Sequence, residues 1–169
     1  MQSNAPFRYV IIGSGNICRT YLKAIANSPG LAVAGVVSRS GRRPEDLPAS
    51  AGVWPTLAAV DAPFDAVILT TPNGLHHQGA LEAAALGKHV LTEKVLEISR
   101  DAMDRMMRAC REANVKLAVT YQRRMSPDNI ALKRLLDAGR LGRVFAADMT
   151  VKFWRDAAYY RSGAYRGSR

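Results

Sequence analysis

Short apolar segments alternate with amphipathic ones over residues 1–121. The apolar, β-type segments read RYVIIG, LAVAGVVS, VW, FDAVILTT, KHVLT and VKLAVTY. Between them, apolar residues recur at helical spacing in NICRTYLKAIANSPG, RRPEDLPASAG, GLHHQGALEAAALG and SRDAMDRMMRACREAN. The β-type segments are apolar at nearly every position, which is typical of parallel strands that are covered by helices on both faces. The alternation therefore predicts a doubly wound parallel α/β domain over residues 1–121.

The pattern changes after Tyr121. The segment RRMSPDNIALKRLLDAGRLG predicts a helix with Ser126 as its N-cap, Pro127 at its first position and Gly139 just past its end. In RVFAADMTVKFW apolar and polar residues alternate, so residues 144–154 are predicted to form a strand with one buried face. Nothing after this strand supplies a sheet for it. We interpret residues 122–169 as the first helix and strand of an incomplete α/β C-terminal domain.

Composition narrows the class of protein. Of the 169 residues, 48% are hydrophobic and 22% are charged, which is typical of a globular protein. No apolar run reaches the roughly 18–20 residues of a membrane helix, and the N-terminus lacks the basic region of a signal peptide. The two cysteines, Cys18 and Cys110, show no paired spacing, so a reducing cytoplasm is expected. The net charge of +10 is spread along the chain. A nucleic-acid module would concentrate it in one stripe, so a general excess of surface arginine is favoured, with some of it recruited for an anionic small ligand.

Ligands of open α/β sheets bind outside the carboxyl ends of the strands, and unusual sequences follow five predicted strands. The first is GSGNIC, which contains Gly13, Ser14, Gly15, Asn16 and Ile17. Here Gly13 permits a tight turn, Gly15 lets the backbone approach a pyrophosphate, and the helix N-terminus from Asn16 supplies donors. Such a turn alone is weak evidence, and Cys18 replaces the third glycine of the fingerprint. Its place after the first strand nevertheless favours a dinucleotide.

The second strand end bears on the choice of dinucleotide. Sites for NAD usually place an acid here, whereas this chain has Ser38 and Arg39, followed by Arg42 and Arg43. A hydroxyl and a guanidinium suit a 2′-phosphate, so the sequence favours NADP. NAD remains the alternative, because an arginine can also stack on adenine.

The segment TTPNGLHH ends another strand. Thr71, Pro72 and Asn73 suit a turn that lines a cofactor cleft, and His76 is assigned to the same site, packing or hydrogen-bonding near the helix start. Adjacent histidines on a helix point about 100° apart. His76 and His77 therefore do not predict a metal site.

The segment TTPNGLHHQGALEAAALGKHVLTEK resembles the T-P-N-x-x-H…A-L-x-x-G-K-H-V-x-x-E-K-P stretch of the glucose–fructose oxidoreductase, inositol 2-dehydrogenase and rhizopine catabolism (Gfo/Idh/MocA) family. YQRRMSP, LLDAGRLGRV and WRDAAYYRSGAYRG are similar to the segments that follow. The resemblance implies an NAD(P)-dependent oxidoreductase of sugars, cyclitols or sugar nucleotides. It also implies an N-terminal Rossmann domain and a C-terminal domain whose sheet often forms the oligomer interface.

By this resemblance Glu93 and Lys94 belong to the cofactor site, and Lys94 is the catalytic residue that contacts the nicotinamide ribose and a substrate hydroxyl. The alternative is a solvated strand end. Val95 replaces the family's proline, so a trans peptide bond is expected after Lys94. Gln122, Arg123 and Arg124, after the last strand, are assigned to the substrate.

Family members are usually much longer, and their second half supplies most of the substrate pocket. Two hypotheses therefore remain: an oxidoreductase whose substrate half is largely missing, and a non-catalytic dinucleotide-binding module. The strand over residues 144–154 has apolar side chains that it cannot bury alone, so we predict a homo-oligomer through this segment.

Overall fold

The computed structural model describes residues 5–163 and residue 166. The chain divides into two compact units, Met1–Thr120 and Tyr121–Arg169. The first unit contains β1 (Phe7–Ile12), α1 (Asn16–Ala26), β2 (Leu31–Val37), β3 (Gly52–Trp54), β4 (Ala66–Leu69), α2 (His76–Ala85), β5 (His89–Glu93), α3 (Arg100–Glu112) and β6 (Leu117–Thr120). A short 3₁₀ turn, Leu57–Ala59, precedes β4.

The six strands form one parallel sheet in the order β3-β2-β1-β4-β5-β6. The chain runs outward from β1 to β3 and then returns to β4 on the other side of β1. This is the doubly wound Rossmann arrangement that the alternating pattern predicts, and it confirms that prediction. The strand order reverses between β1 and β4, which is where such sheets bind ligands.

Two apolar layers, one on each face of the sheet, form the core. Successive strand residues point to opposite faces, so Val10 and Ile11 are both fully buried in different layers. On one face, Ile11 packs with α1 through Cys18 and Leu22. On the other face, Val10 packs with α2 and α3, whose contributions include Ala80, Ala83, Met106 and Cys110.

The segment RRPEDLPASAG was expected to be a short helix, and this prediction is wrong. Residues 42–51 contain only turns and irregular backbone. The guanidinium of Arg43 donates to the carbonyl oxygens of Ala51, at 3.0 Å, and Pro48. Pro44 and Pro48 lack the N–H groups that a helix would need, so the side chain of Arg43 organises this loop instead.

The second unit contains a 3₁₀ turn at Gln122–Met125, α4 (Pro127–Asp137) and α5 (Ala157–Arg161). Helix α4 begins after Ser126 as predicted. The Ser126 hydroxyl donates to the carbonyl oxygen of Arg123, at 2.9 Å, and does not cap the helix.

The predicted strand over residues 144–154 is not formed, because no segment among the described residues pairs with its backbone. Three of its large apolar side chains are almost fully exposed: Phe145 at 95%, Met149 at 80% and Trp154 at 81%. A strand requires a neighbouring strand to accept its backbone hydrogen bonds. The alternating pattern is thus present without the structure that it predicts.

Candidate functional site

The turn between β1 and α1 lies against the end of β4. Gly13 has a φ of 110°, and its N–H donates to the carbonyl oxygen of Val37 at 3.0 Å. A Cβ atom on Gly13 would lie 2.8 Å from Thr70 Oγ1, a separation that packed atoms do not tolerate. The Thr70 hydroxyl in turn faces the carbonyl oxygens of Ile12 and Gly13, at 3.1 and 3.2 Å. Only glycine fits the first position of this turn.

The N-terminus of α1 is open to a ligand. Gly15, the residue before the helix, has extended backbone, and a Cβ atom there would meet nothing within 4 Å. No side chain caps α1, and its first turn contains no acid. Asn16 and Ile17 are exposed at the same point. The first-turn N–H groups and the positive end of the helix dipole therefore face a surface that a glycine keeps clear, which suits a phosphate group.

The end of β2 is joined to this turn by hydroxyl groups. Ser38 is 4% exposed, and its Oγ lies 3.0 Å from Ser14 Oγ and 3.4 Å from Ser40 Oγ. Arg39 and Arg42 are exposed on the loop that follows. Ser38 thus connects the two loops within the protein, and the arginines are the groups that this loop offers to an anion.

The loop after β2 is also attached to α1. The guanidinium of Arg19 pairs with Asp46 at 2.7 Å and with Glu45 at 3.0 Å. The hydrogen bond and the charge of Arg19 hold the pKa of the Asp46 carboxyl below its ordinary value, although desolvation opposes them. The two acids that follow β2 in the sequence are therefore paired with α1.

His76 joins the loops that follow β4 and β5. It is fully buried, with Nε2 3.0 Å from the carbonyl oxygen of Thr71 and Nδ1 2.9 Å from that of Val95. These hydrogen bonds lie near the helix start, as expected for His76; because its side chain has no exposed surface, its assignment to the cofactor site stays a prediction. Through these hydrogen bonds, His76 positions the backbone of Thr71 and Val95. The Lys94–Val95 peptide bond is cis, contrary to the expected trans form.

Thr71 carries an unused hydrogen-bonding group at this edge. Its Oγ1 is buried and has no hydrogen-bond partner among the described residues. Pro72 and Asn73, next in the turn, are exposed. A buried hydroxyl without a partner costs free energy, so it is a natural contact for a polar group of a ligand.

Glu93 connects α1 with β5 and β6. The Tyr21 hydroxyl lies 2.7 Å from Glu93 Oε1, to which it donates, and 2.7 Å from Thr120 Oγ1. Burial raises the pKa of Tyr21 most; the Thr120 hydrogen bond lowers it by less than burial raises it, and the hydrogen bond to Glu93 and the charge of Glu93 raise it further. One carboxylate oxygen of Glu93 is thus engaged within the protein. Tyr21 and Thr120 had no signal in the sequence, because 99 positions separate them.

Lys94 follows Glu93 and is exposed. Over residues 5–163 and residue 166, its ammonium group makes no hydrogen bond or ion pair, so it is available to a ligand. Gln122, Arg123 and Arg124 form an exposed 3₁₀ turn in the second unit. Their role towards a substrate stays a prediction.

Glu97 was not identified from the sequence, although an acid between two apolar residues, Leu96 and Ile98, could have indicated a buried carboxylate. It is 1% exposed, and its Oε1 accepts the Ile98 N–H at 2.8 Å. Its Oε2 accepts the His77 N–H at 3.0 Å and lies 3.1 Å from His77 Nδ1. Burial raises the pKa of Glu97, but these hydrogen bonds outweigh it and leave the pKa below its ordinary value.

Clusters of metal-ligating side chains and membrane-spanning helices are both absent from the part of the chain that is described. No group of three or more His, Cys, Asp or Glu side chains is placed there to hold a metal ion. None of the helices there has both the length and the apolar character needed to cross a membrane.

The sequence model of the Gfo/Idh/MocA family, described as an oxidoreductase family with an NAD-binding Rossmann fold, matches residues 7–121. The chain belongs to this family. The resemblance noted in the sequence is thereby confirmed.

Among curated relatives, 1,5-anhydro-D-fructose reductase of Ensifer adhaerens is 31% identical over 145 residues, covering 83% of this chain and 44% of the relative. Inositol 2-dehydrogenase of Rhizobium meliloti is 28% identical, covering 86% and 45%. Among solved structures, the WlbA dehydrogenase of Bordetella pertussis, in complex with NADH and UDP-GlcNAcA, superposes with a TM-score of 0.85 at 30% identity, covering 96% and 51%. The chain thus spans about half the length of these relatives.

Proposed function

We propose that this chain is the cofactor-binding half of an NADP-dependent oxidoreductase that acts on a hydroxyl group of a sugar, cyclitol or sugar nucleotide. The observation that carries the proposal is the open N-terminus of α1 behind the Gly13–Gly15 turn. The relatives support the substrate class, because their names include an anhydrofructose reductase and an inositol dehydrogenase. A cytoplasmic location belongs to the same proposal and is supported by two cysteines that are free.

The residues present fit a dinucleotide. The backbone of Gly13, Ser14 and Gly15, with the first turn of α1, would hold the pyrophosphate. Arg39 would contact the 2′-phosphate of NADP, assisted by Arg42 from the same loop. Thr71 Oγ1 would bond to a polar group near the nicotinamide end, at the carboxyl edge of β4.

A bound nicotinamide supplies the acceptor or donor of a hydride. In this proposal the chain's own contribution to the chemistry is the Lys94 ammonium group. It hydrogen-bonds the substrate oxygen and donates a proton to that oxygen when the hydride reduces a carbonyl; in the reverse direction the neutral amine of Lys94 accepts the hydroxyl's proton as the hydride leaves the carbon. A second candidate function is a non-catalytic dinucleotide-binding module, for which the open N-terminus of α1 is sufficient.

Titration with reduced cofactors tests the binding step. We expect NADPH to bind more tightly than NADH. Arg39→Ala should reduce this preference by about tenfold, because a charge-assisted hydrogen bond contributes roughly 1.5–3 kcal/mol. Arg105→Ala, on the surface of α3, is the control for a change in net charge. Equal affinity of the wild type for both cofactors would contradict the NADP assignment, and no binding of either would contradict the whole proposal.

Turnover assays on sugars, cyclitols and sugar nucleotides test the catalytic step. Lys94→Ala should abolish hydride transfer while changing NADPH affinity little, because the proposed pyrophosphate contacts lie in the turn between β1 and α1. A variant as active as the wild type would indicate that Lys94 is part of a solvated strand end and has no catalytic role. Cofactor binding without turnover on any substrate would favour the non-catalytic module.

The proposal includes a homo-oligomer that forms through residues 144–154. The exposed apolar side chains of this segment support it, since burying a large apolar side chain stabilises an assembly by roughly 1.5–3 kcal/mol before ordering costs. In a second copy, the same segment could supply the strand that is missing from the isolated chain.

A further inference from the structure

The loop that carries Lys94 is attached to the start of α2 by a buried carboxylate that the proposed chemistry does not use. Helix α2 has Leu75 at its N-cap position, and no side chain of that residue can accept a hydrogen bond from the first turn. Glu97, from the loop after β5, supplies the acceptor instead. Its Oε2 receives the N–H of His77, the second residue of the helix, at 3.0 Å. A carboxylate at this place is favourable to the helix dipole as well.

We propose that Glu97 is a positioning residue that holds the Lys94 loop, residues 94–98, at a fixed place on the N-terminus of α2. Lys94 and the turn of residues 71–75 then keep a constant separation. The consequence for a cofactor rests on the proposed function, in which both segments face the nicotinamide end of the dinucleotide.

Three contacts of different kinds join the two segments. Glu97 binds the loop to α2 through Oε2, while its Oε1 accepts the Ile98 N–H at 2.8 Å within the loop itself. His76 binds the carbonyl oxygen of Val95 on the other side of the loop. Gly74 packs so closely on Ile98 that a Cβ atom would lie 2.9 Å from its Cδ1. The loop is therefore fixed on both sides of Leu96.

Lys94 itself depends on these contacts. Its side chain is exposed and has no polar partner in residues 5–163 or residue 166. The conformation of the backbone that follows Lys94 therefore determines the position of its side chain. Of the three contacts, Glu97 is the only charged one, and it satisfies two backbone N–H groups from different elements. Its removal leaves both of these N–H groups without this acceptor.

Amide hydrogen exchange of the unliganded protein tests the attachment without reference to a cofactor. In Glu97→Ala, we expect the amides of His77 and Ile98 to exchange at least tenfold faster, while those of Val10 and Ile11 in the central strand keep their rates. Glu97→Gln retains one acceptor oxygen and should show a smaller increase. His77→Ala retains the backbone N–H and should change the Ile98 amide little. Unchanged exchange at His77 and Ile98, or the same acceleration throughout the sheet, would overturn the proposal.

Chemical labelling of Lys94 tests the link to the site. An amine-specific acylating reagent, read by peptide mass spectrometry, should modify Lys94 more slowly when NADPH is bound to the wild type. This protection should fall at least threefold in Glu97→Gln and further in Glu97→Ala. Lys116, an exposed lysine before β6, should label equally in all of them. Equal protection of Lys94 in wild type and variants would overturn its positioning by Glu97. Failure of the wild type to bind NADPH would contradict the proposed function instead, and hydrogen exchange alone would then decide whether Glu97 holds the loop.

Discussion

Replacing the two glycines of the β1–α1 turn separately distinguishes the part of the turn that the fold requires from the part that a ligand requires. In Gly13→Ala the new Cβ would lie 2.8 Å from Thr70 Oγ1 and 3.1 Å from both the carbonyl carbon and the oxygen of Thr70. The residue would also keep a φ near 110°, which L-amino acids rarely adopt. The neighbouring atoms include the backbone of Thr70, just after β4, so a rotation of one side chain does not relieve the contact.

The cost of this change follows from two contributions. A non-glycine residue in such a backbone conformation costs roughly 1–3 kcal/mol. Overpacking against a well-packed neighbour costs about 1–3 kcal/mol more. Together they remove about 2–6 kcal/mol from a free energy of unfolding that is about 5–15 kcal/mol for an ordinary protein. With a urea m-value of roughly 1–3 kcal/mol/M, the midpoint of unfolding should fall by about 1 M or more.

Gly15→Ala is the matched control. Its backbone is already in a region open to alanine, and its Cβ would meet nothing within 4 Å. Alanine lowers the conformational entropy of the unfolded chain, which stabilises the folded protein and offsets the slightly weaker N-cap. The free energy of unfolding should therefore change by less than about 0.5 kcal/mol. NADPH affinity should nevertheless fall at least tenfold, because the methyl group stands where the pyrophosphate approaches.

Urea unfolding followed by circular dichroism and NADPH titration by fluorescence measure the two effects. A Gly13→Ala protein with the wild-type midpoint would refute the packing argument at β4. A Gly15→Ala protein with wild-type NADPH affinity would refute the placement of the pyrophosphate at this turn.

Tyr21→Phe should lower the free energy of unfolding by about 1–3 kcal/mol, since Glu93 loses a buried donor; an unchanged urea midpoint would contradict this. Gly35→Ala should destabilise by about 1–3 kcal/mol and alter tryptophan fluorescence, because its Cβ would lie 2.2 Å from Trp54 Cζ3; unchanged emission and midpoint would count against it. The pKa of Glu97 is lower in the folded protein than in the unfolded chain. Its contribution to the free energy of unfolding is therefore complete above the ordinary glutamate pKa and is lost as the pH falls through the folded pKa. The acid limb of a stability–pH curve should therefore flatten in Glu97→Gln, and an identical limb would be evidence against it. Sedimentation should show an oligomer that becomes monomeric in a chain ending at Gly142, whereas a monomeric intact chain would exclude association through residues 144–154.

Local patterns in the sequence predicted the elements of the sheet well, because the periodicity of apolar residues reports directly on burial. All six strands and the helices α1 to α4 were anticipated, as was the glycine turn at the switch point. Two predicted elements do not form, and each has a physical reason. The loop of residues 42–51 has prolines and an organising arginine, Arg43, whose carbonyl partners cannot be read from a helical pattern. The segment of residues 144–154 has the alternation of a strand but has no pairing strand in the part of the chain that the structure describes.

The side-chain connections of the site were less accessible to sequence reasoning. Glu93 and Lys94 were identified through a motif, but the hydrogen bond from Tyr21 to Glu93 joins residues that are 72 positions apart. Glu97 and His77 are separated by 20 positions and belong to different loops. Only the folded sheet, which brings the ends of β4, β5 and β6 to one edge, shows that these residues meet.

The two cysteines provide a labelling experiment that requires no mutation. Cys18 is fully buried in the layer beneath α1, and Cys110 is 2% exposed in the layer beneath α3. Burial raises the pKa of the Cys18 thiol to about 11, with the charge of Arg42 lowering it by less, and burial also raises the pKa of Cys110. Neither thiol reacts until its own layer opens. The alkylation rates of the two cysteines, resolved by mass spectrometry, therefore report separately on the opening of each face of the sheet.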